Sequence, residues 1–383
     1  MKIYLDHAAT TYVREEVLKT MLPYFSEIYG NPHSLHNEGK KALIALDKAR
    51  EGVAEIFNCR ESEVIFTGGA TEANNIVIFG VAKANIQKGK HIIISSIEHP
   101  SISEPCKELE REGWEITRLR VNEEGLIDLQ QLENSIRPDT ILVSIIHANN
   151  EIGTIQNLEK ISEICQKKKV IFHSDACQSA CSMSMDTKVL NLDLMTINGS
   201  KIYGPKGIGA LYVKRGTKIT KINYGGDQEA NLRPGTQNIP AIVGLAKALE
   251  IAQKNREAEN KRLLSLREKL IKGILEIKDS QLNGHKTERL PNNIHVSFKG
   301  INGQNLLLQL DQAGVYVSAG SACKMGSNED SEVLKAIGLP KNLAQSSIRL
   351  SIGLRTTEKE IDYTIKVLSE TITKLRENKF AKA

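Results

Sequence analysis

Between about residues 64 and 213, the chain alternates short β-rich runs with polar stretches of helical pattern. The β-rich runs are EVIFTGG, HIIISSIEH, TILVSIIHANNE, VIFHSDACQ, DLMTINGS and GIGALYV. One stretch between them, LEKISEICQ, places its apolar residues on a single helical face. This alternation is typical of a largely parallel sheet covered by helices on both faces, so we expect an α/β protein.

The pattern changes after the run QKNREAENKRLLSLREKL, which predicts a long charged helix that leads out of the first domain. Beyond it, a few short β-rich runs and a final amphipathic helix predict a smaller α+β unit. We therefore expect a large domain over residues 1–255 and a small C-terminal domain over residues 256–383, with the N-terminal dozen residues packed on the small domain.

Composition excludes several classes of protein. The 51 Lys and Arg barely outnumber the 46 Asp and Glu and are spread along the chain, which argues against a nucleic-acid surface. No apolar run approaches the roughly 18 to 20 residues that span a bilayer. The six cysteines show no paired spacing and no zinc pattern, and the N-terminus lacks a signal-peptide core. We expect a cytoplasmic protein without a metal site.

The loop FTGGATEANN combines a strand end, Gly68 and Gly69, and a predicted helix that begins near Thr71. Free N–H groups at a helix N-terminus beside a hydroxyl can bind a phosphate. A tight strand-to-helix turn capped by Thr71 explains the same residues equally well.

Two further strand ends carry polar side chains. His99 follows the strand HIIISS and could stack on a flat cofactor, shuttle a proton, or be structural. Asp175 ends the strand in FHSDACQ, with Gln178 three residues later. Its carboxylate could neutralise a protonated ring nitrogen, or it could cap the next helix.

The run INGSKIYGPKGIGALYV places Lys201 between a strand end and a glycine-punctuated turn. A lysine in a partly desolvated pocket can form a Schiff base with an aldehyde, although most lysines are solvated. Arg349 lies in the middle of the apolar strand SSIRLSIG, where it would bind a substrate carboxylate or form an internal salt bridge.

For two polar segments, the local sequence does not decide between several roles. GGDQEANLRPGTQNIP, which carries Thr236, suits an ordered surface loop, an active-site segment or a subunit contact. VSAGSACKMGSNEDS, residues 317–331, sets Cys323 among small and polar residues. Because a free cysteine usually behaves as a small buried hydrophobe, a thiol in such a loop is either an accident or a reagent.

Taken together and in order, these segments resemble the class V, fold-type I pyridoxal-phosphate enzymes, and more narrowly the cysteine desulfurases of the NifS/IscS type. The matching runs also include YLDHAATT, GNPHSLH and HANNEIGTIQ, so the resemblance covers nearly the whole chain. Where the family usually has SGHK before the cofactor lysine, this chain has NGSK. Asn198 and Ser200 still offer hydrogen bonds, so we expect retained but altered affinity for the cofactor.

The resemblance implies a role for each residue of the predicted site. Lys201 would hold pyridoxal 5′-phosphate as a Schiff base, Asp175 would pair with the pyridinium nitrogen, and His99 would stack on the ring and move protons. Arg349 would bind the substrate carboxylate, and Cys323 would be the mobile nucleophile. The remaining predicted contacts are to the phosphate (Ala70, Thr71, Asn198, Ser200 and, from the other subunit of a homodimer, Thr236) and to the phenolic oxygen and bound amino acid (Asn150, Gln178).

The implied reaction converts L-cysteine to L-alanine and leaves the sulfur as a persulfide on Cys323. An acceptor protein for iron–sulfur cluster assembly or tRNA thiolation would then take the sulfur. The alternatives are a selenocysteine lyase or another class V enzyme, and a catalytically silent sulfur-transfer scaffold. A nucleic-acid or metal-binding module has no supporting feature beyond scattered lysines and cysteines.

Overall fold

The computed structural model describes residues 2–319 and 331–380. Its strands, in chain order, are β1 Ile3–Tyr4, β2 Val64–Thr67, β3 His91–Ser95, β4 Glu115–Leu119, β5 Thr140–Ser144, β6 Ile171–Asp175, β7 Leu194–Asn198, β8 Gly209–Val213, β9 Ser280–Leu282, β10 Asn293–Phe298, β11 Val315–Tyr316, β12 Ser318–Ala319 and β13 Ser347–Ser351. Its helices are α1 Glu15–Met21, α2 Pro23–Ser26, α3 Asn37–Phe57, α4 Ala70–Asn85, α5 Pro100–Arg111, α6 Leu129–Ser135, α7 Leu158–Lys167, α8 Thr187–Leu190, α9 Ile239–Leu275, α10 Gly303–Gln312, α11 Glu332–Ala336, α12 Lys341–Ala344 and α13 Glu358–Phe380.

The main sheet has the strand order β2-β8-β7-β6-β5-β3-β4. β8 runs antiparallel to both of its neighbours, and the other six strands of this sheet all run in the same direction. Ile93 belongs to a core shared with α3, α7 and α9, whereas Ile92 and Ile94 belong to a core shared with α4 and α5. Because successive strand residues point to opposite faces, both faces of the sheet are buried. The predicted α/β fold is confirmed.

The C-terminal part forms a second, antiparallel sheet of order β12-β13-β10-β9. Its core includes Ile3 and Leu5, because β1 pairs in parallel with β11. Residue 255, the predicted domain boundary, falls inside α9, a helix of 37 residues that contributes to both cores. Within the predicted loop 317–331, residues 318–319 form β12, which pairs with β13, and residues 320–330 lie outside the described part of the chain. Within the described residues, no helix is both long and apolar enough to cross a membrane.

Candidate active site

The predicted site residues converge at the carboxyl ends of the parallel strands, where open α/β sheets bind ligands. Asp175 is the last residue of β6, and Asn198 is the last residue of β7. His99 follows β3 and caps α5. A 3₁₀ turn over Gly199–Lys201 places Lys201 directly after β7. The fold therefore brings lysine, aspartate and histidine to one edge of the sheet.

Asp175 is buried and held by two N–H donors. Asn74 Nδ2 donates to its Oδ2 at 2.8 Å, and the Cys177 N–H donates to its Oδ1 at 3.0 Å. Asn74 Nδ2 also donates to Ser101 Oγ at 2.8 Å, and Ser101 Oγ lies 2.8 Å from His99 Nδ1. A continuous hydrogen-bonded chain thus joins the carboxylate of Asp175 to the imidazole of His99.

The surroundings of His99 favour its neutral form. Burial lowers the pKa of His99, the charge of Asp175 opposes this effect, and the charge of Lys201 adds to it. The N–H of Ser101 donates to His99 Nδ1 at 3.2 Å, so this nitrogen is an acceptor and the ring proton is on Nε2. His99 therefore presents an N–H donor from the side of the ring opposite Ser101.

The amine of Lys201 is hydrogen-bonded to the N-terminal segment. Its Nζ donates to the carbonyl oxygens of Ala8 at 2.9 Å and Ala9 at 2.5 Å, and Gln178 Nε2 donates to the same Ala8 carbonyl at 2.9 Å. The turn that carries Lys201 is fixed by Thr11, whose N–H and Oγ1 both donate to the carbonyl of Ser200 at 2.9 Å. The N-terminal segment is therefore part of the site.

A cleft of about 460 Å³ lies at the N-terminus of α4, and its lining includes Ser200, the residue directly before Lys201. Gly69 enters the helix with φ +147°, which L side chains rarely adopt, and the free N–H groups of the first turn of α4 face outward from the helix end. The lining also carries Thr10, whose Oγ1 is buried and has no hydrogen-bond partner. The other lining residues are Gly68, Ala70, Thr71, Glu72, Asn198, Ser200, Lys206 and Gly207. We call this cleft the anion cradle.

Glu72 is an acidic member of the cradle. It accepts a hydrogen bond from the Gly68 N–H, and Arg233 lies 3.3 Å from its other oxygen, which offsets its charge. Thr236 is exposed and does not line the cradle of its own chain.

Arg349 and Asn150 are brought together at the other side of the site. Arg349 Nη1 donates to the Asn150 carbonyl at 3.0 Å, and Nη2 donates to Asp6 Oδ1 at 2.7 Å. Its Nε is buried without a partner. The internal salt bridge considered from the sequence is therefore present, and part of the guanidinium fork remains unsatisfied. Cys323 lies outside the described residues.

Sequence reasoning missed four residues of the site: Asp6, Thr10, Asn74 and Lys206. Asn74 could have been identified from the sequence, since it is a polar residue on the buried face of α4, next to Ala73 and one turn before Ile78. Asp6, Thr10 and Lys206 lie in runs that matched the family but showed no local pattern.

Comparisons with known proteins agree with this architecture. Residues 3–364 match the family model for aminotransferase class-V. "Cysteine desulfurase IscS" of Methanosarcina thermophila is 46% identical over 374 residues, 98% of this chain and 93% of the relative. "Cysteine desulfurase IscS" of Clostridium botulinum is 46% identical over 379 residues, 98% and 96% of the two chains. A solved structure described as "NIFS-LIKE PROTEIN" superposes with a TM-score of 0.93 at 37% identity, covering 98% of this chain and all of the other.

The chain therefore belongs to the aminotransferase class-V family, a group of pyridoxal-phosphate-dependent enzymes. Within it, the chain groups with the IscS-type cysteine desulfurases, which confirms the resemblance seen in the sequence.

Proposed function

We propose that this protein is a pyridoxal-phosphate-dependent cysteine desulfurase that converts L-cysteine to L-alanine and passes the sulfur to Cys323. The observation that carries this proposal is the convergence of Lys201, Asp175 and His99 beside the anion cradle. The similarity to IscS-type desulfurases over 98% of the chain supports it.

The site fits pyridoxal phosphate. The cradle offers the phosphate the free N–H groups of α4 and the partnerless hydroxyl of Thr10, and it is large enough for this anion. The Asp175 carboxylate accepts hydrogen bonds from two N–H donors and can pair with a pyridinium nitrogen. Lys201 would hold the cofactor covalently, with Ala70, Thr71, Asn198 and Ser200 at its phosphate and Gln178 at its phenolic oxygen. When bound, the cofactor supplies an electron sink for the charge that develops at the amino-acid Cα.

Arg349 is suited to the substrate carboxylate. Its guanidinium is fixed on one side by Asp6 and the Asn150 carbonyl, while the buried Nε lacks an acceptor. A carboxylate would satisfy that donor and compensate the buried charge. The backbone carbonyl of Asn150 accepts a hydrogen bond from Arg349, so the side chain of Asn150 would lie near the bound amino acid and contact it.

Lys201 and His99 would move the protons. The carbonyls of Ala8 and Ala9 hold the lysine amine within the site, so it can take the proton from the substrate Cα and return it to the product. His99 offers a donor at Nε2 because Ser101 occupies Nδ1. Asp175, coupled to His99 through Asn74 and Ser101, keeps that tautomer in place.

The described cysteines are unsuited to take the sulfur. Burial raises the pKa of the Cys177 thiol well above its usual range, and it raises the pKa of the other four described thiols to about 12, so each stays protonated at neutral pH: Cys59, Cys106, Cys165 and Cys181. Cys323 is the remaining cysteine of the sequence. Its thiolate would attack the substrate sulfur, the C–S electron pair would stay with carbon, and a proton would complete alanine. The persulfide on Cys323 then holds the transferred sulfur atom.

We further propose a cytoplasmic homodimer with shared sites, in which Thr236 reaches the phosphate bound by the other subunit. Exposed large apolar side chains within residues 22–35 support such an interface, since Leu22, Phe25, Tyr29 and Leu35 are 53 to 91% exposed. The persulfide would pass to an acceptor protein in iron–sulfur cluster assembly or tRNA thiolation.

The test is to purify the protein, record its absorption spectrum with added pyridoxal phosphate, and measure alanine and sulfide made from L-cysteine with a reductant. Borohydride reduction and peptide mapping should place the cofactor on Lys201. A colourless protein that makes no alanine would favour the silent scaffold. A preference for selenocysteine over cysteine would indicate a lyase instead.

A further inference from the structure

Glu98 is a buried acidic residue that the proposed mechanism does not use. It directly precedes His99 and is 8% exposed. Its Oε1 accepts hydrogen bonds from Ser95 Oγ at 2.5 Å and from the Ile146 N–H at 2.8 Å. Its Oε2 is buried without a partner. A buried carboxylate oxygen without a hydrogen-bond donor is unfavourable as an anion, and a proton on the carboxyl group removes this cost.

Glu98 links two walls of the site. The connection from β3 to α5, which includes Glu98, leads into His99, and the run after β5, which includes Ile146, leads into Asn150. Besides the hydrogen bond from Ile146 to Glu98, Asn149 Nδ2 donates to the Ile97 carbonyl at 2.9 Å. These two bonds fix the distance between the two walls, and therefore between His99 and the contact of Asn150 with Arg349.

The surroundings of Glu98 disfavour a negative charge. Within residues 2–319 and 331–380, no Lys, Arg or His forms an ion pair with it. The ionisable groups that face it are the Asp175 carboxylate, from the end of β6, and the Cys106 thiol of α5. Burial raises the pKa of Glu98 to about 8, Asp175 raises it further, and the hydrogen bonds from Ser95 and Ile146 act against this rise.

We propose that Glu98 is a positioning residue that carries a proton at neutral pH and, as a neutral hydrogen-bond acceptor, joins the wall with His99 to the wall with Asn150. This inference rests on the proposed function. A neutral acid gives the Ile146 N–H its acceptor without placing a second negative charge near Asp175, whose charge is reserved for the cofactor nitrogen.

The first test compares Glu98→Gln with wild type. Glutamine keeps a neutral acceptor at Oε1 and cannot ionise. The protonated glutamate has a higher pKa in the folded than in the unfolded chain, so its stabilising contribution is complete below about pH 4.5 and is lost as the pH rises to about 8. The wild-type Tm should therefore fall relative to that of Glu98→Gln between about pH 5 and 8, and the difference should then level off.

The second test separates positioning from charge, using kcat and KM for L-cysteine and the absorption spectrum with added pyridoxal phosphate. Glu98→Leu removes the acceptor and should lower kcat at least about tenfold, because His99 and Asn150 lose their fixed separation. Glu98→Gln should restore kcat to within about threefold of wild type at pH 7. Glu63→Gln is the matched control, since Glu63 is also buried and also accepts backbone N–H groups, from Arg60 and Arg215, away from the site.

Two results would overturn the inference. A loss of kcat in Glu98→Gln as large as in Glu98→Leu would show that the charge is needed, and Tm differences that do not change with pH would show that Glu98 is ionised throughout. Wild-type protein that makes no alanine would instead reject the proposed function. The Tm series needs no activity, so it would still decide whether Glu98 is protonated in that case.

Discussion

Asp6 Oδ1 accepts a hydrogen bond from Arg349 Nη2 at 2.7 Å, so the N-terminal segment holds the arginine proposed for the substrate carboxylate. The side chain of Arg349 is 2% exposed and that of Asp6 is 21% exposed, which makes this a largely buried ion pair. The same segment supplies the Ala8 and Ala9 carbonyls that accept from Lys201. One short stretch therefore positions both the proposed base and the proposed carboxylate site.

We predict that Asp6→Ala lowers the free energy of unfolding by about 2–4 kcal/mol, because it leaves a buried guanidinium short of its counter-charge. The KM for L-cysteine should rise about tenfold as the fork loses its orientation. Denaturant titration and steady-state kinetics measure the two effects. Asp362→Ala, which removes an exposed partner of Lys269, should change neither. An unchanged KM in Asp6→Ala would contradict the proposed role of Arg349.

The second prediction concerns Gly69, the residue that precedes the first turn of α4. Gly69 has φ +147° and ψ 174°, a conformation almost restricted to glycine, so Gly69→Ala should strain the cradle by about 1–3 kcal/mol. Its affinity for pyridoxal phosphate should fall about tenfold or more, measured by absorbance titration. Gly216→Ala has a positive φ of 93° but lies away from the cradle, so it should leave this affinity unchanged. Equal losses in both variants would indicate a global effect of strain.

The fold could be predicted because its signal is local. Runs such as Ile92 to Ile94 are short, β-branched and apolar at every position, which is typical of a strand buried on both faces, and the structure buries these residues on alternate faces. Lys201, Asp175 and His99 could be chosen for a related reason, since each lies at or just beyond a predicted strand end. Their roles toward a cofactor still depend on the resemblance.

The partners of these residues could not be predicted, because they come from distant parts of the chain. Asp6 and Arg349 are 343 positions apart, and no local period connects them. Asn74 was readable as a buried polar residue, but its bond to Asp175 spans 101 positions. The charged run after residue 253 is readable as a helix, but no local signal shows that this helix begins at Ile239 and continues through the predicted boundary at residue 255 to Leu275.

Asn74 is the basis of a third prediction. Asn74→Asp would place a second carboxylate against Asp175 and remove the donor at Nδ2, so the pair would share one proton at neutral pH. The folded state would then bind more protons than the unfolded chain, and the free energy of unfolding should decrease as the pH rises from about 5 to 8. Activity at pH 7 should fall at least about tenfold. Asn75→Asp, on the exposed side of the same turn, is the control. It tests whether a negative charge on α4 alone causes these losses of stability and activity, without contact with Asp175.

The fourth prediction concerns the sulfur acceptor. Cys323→Ala should abolish the persulfide and reduce alanine formation from L-cysteine at least about 100-fold, because no other thiol can take the sulfur in its place. The absorption of bound cofactor should persist, since Lys201, Asp175 and the cradle are untouched.

Cys59→Ala is the matched control. Cys59 is partly exposed, but its thiol pKa is raised to about 12 by burial and by Glu63, so it should not carry sulfur. Mass spectrometry after incubation with L-cysteine should find one additional sulfur atom on the peptide that contains Cys323, in wild type and in Cys59→Ala. Additional sulfur on a peptide with Cys181 or Cys177, or full activity in Cys323→Ala, would contradict the argument from burial. It would mean that a buried thiol close to Lys201 becomes exposed and ionised during turnover.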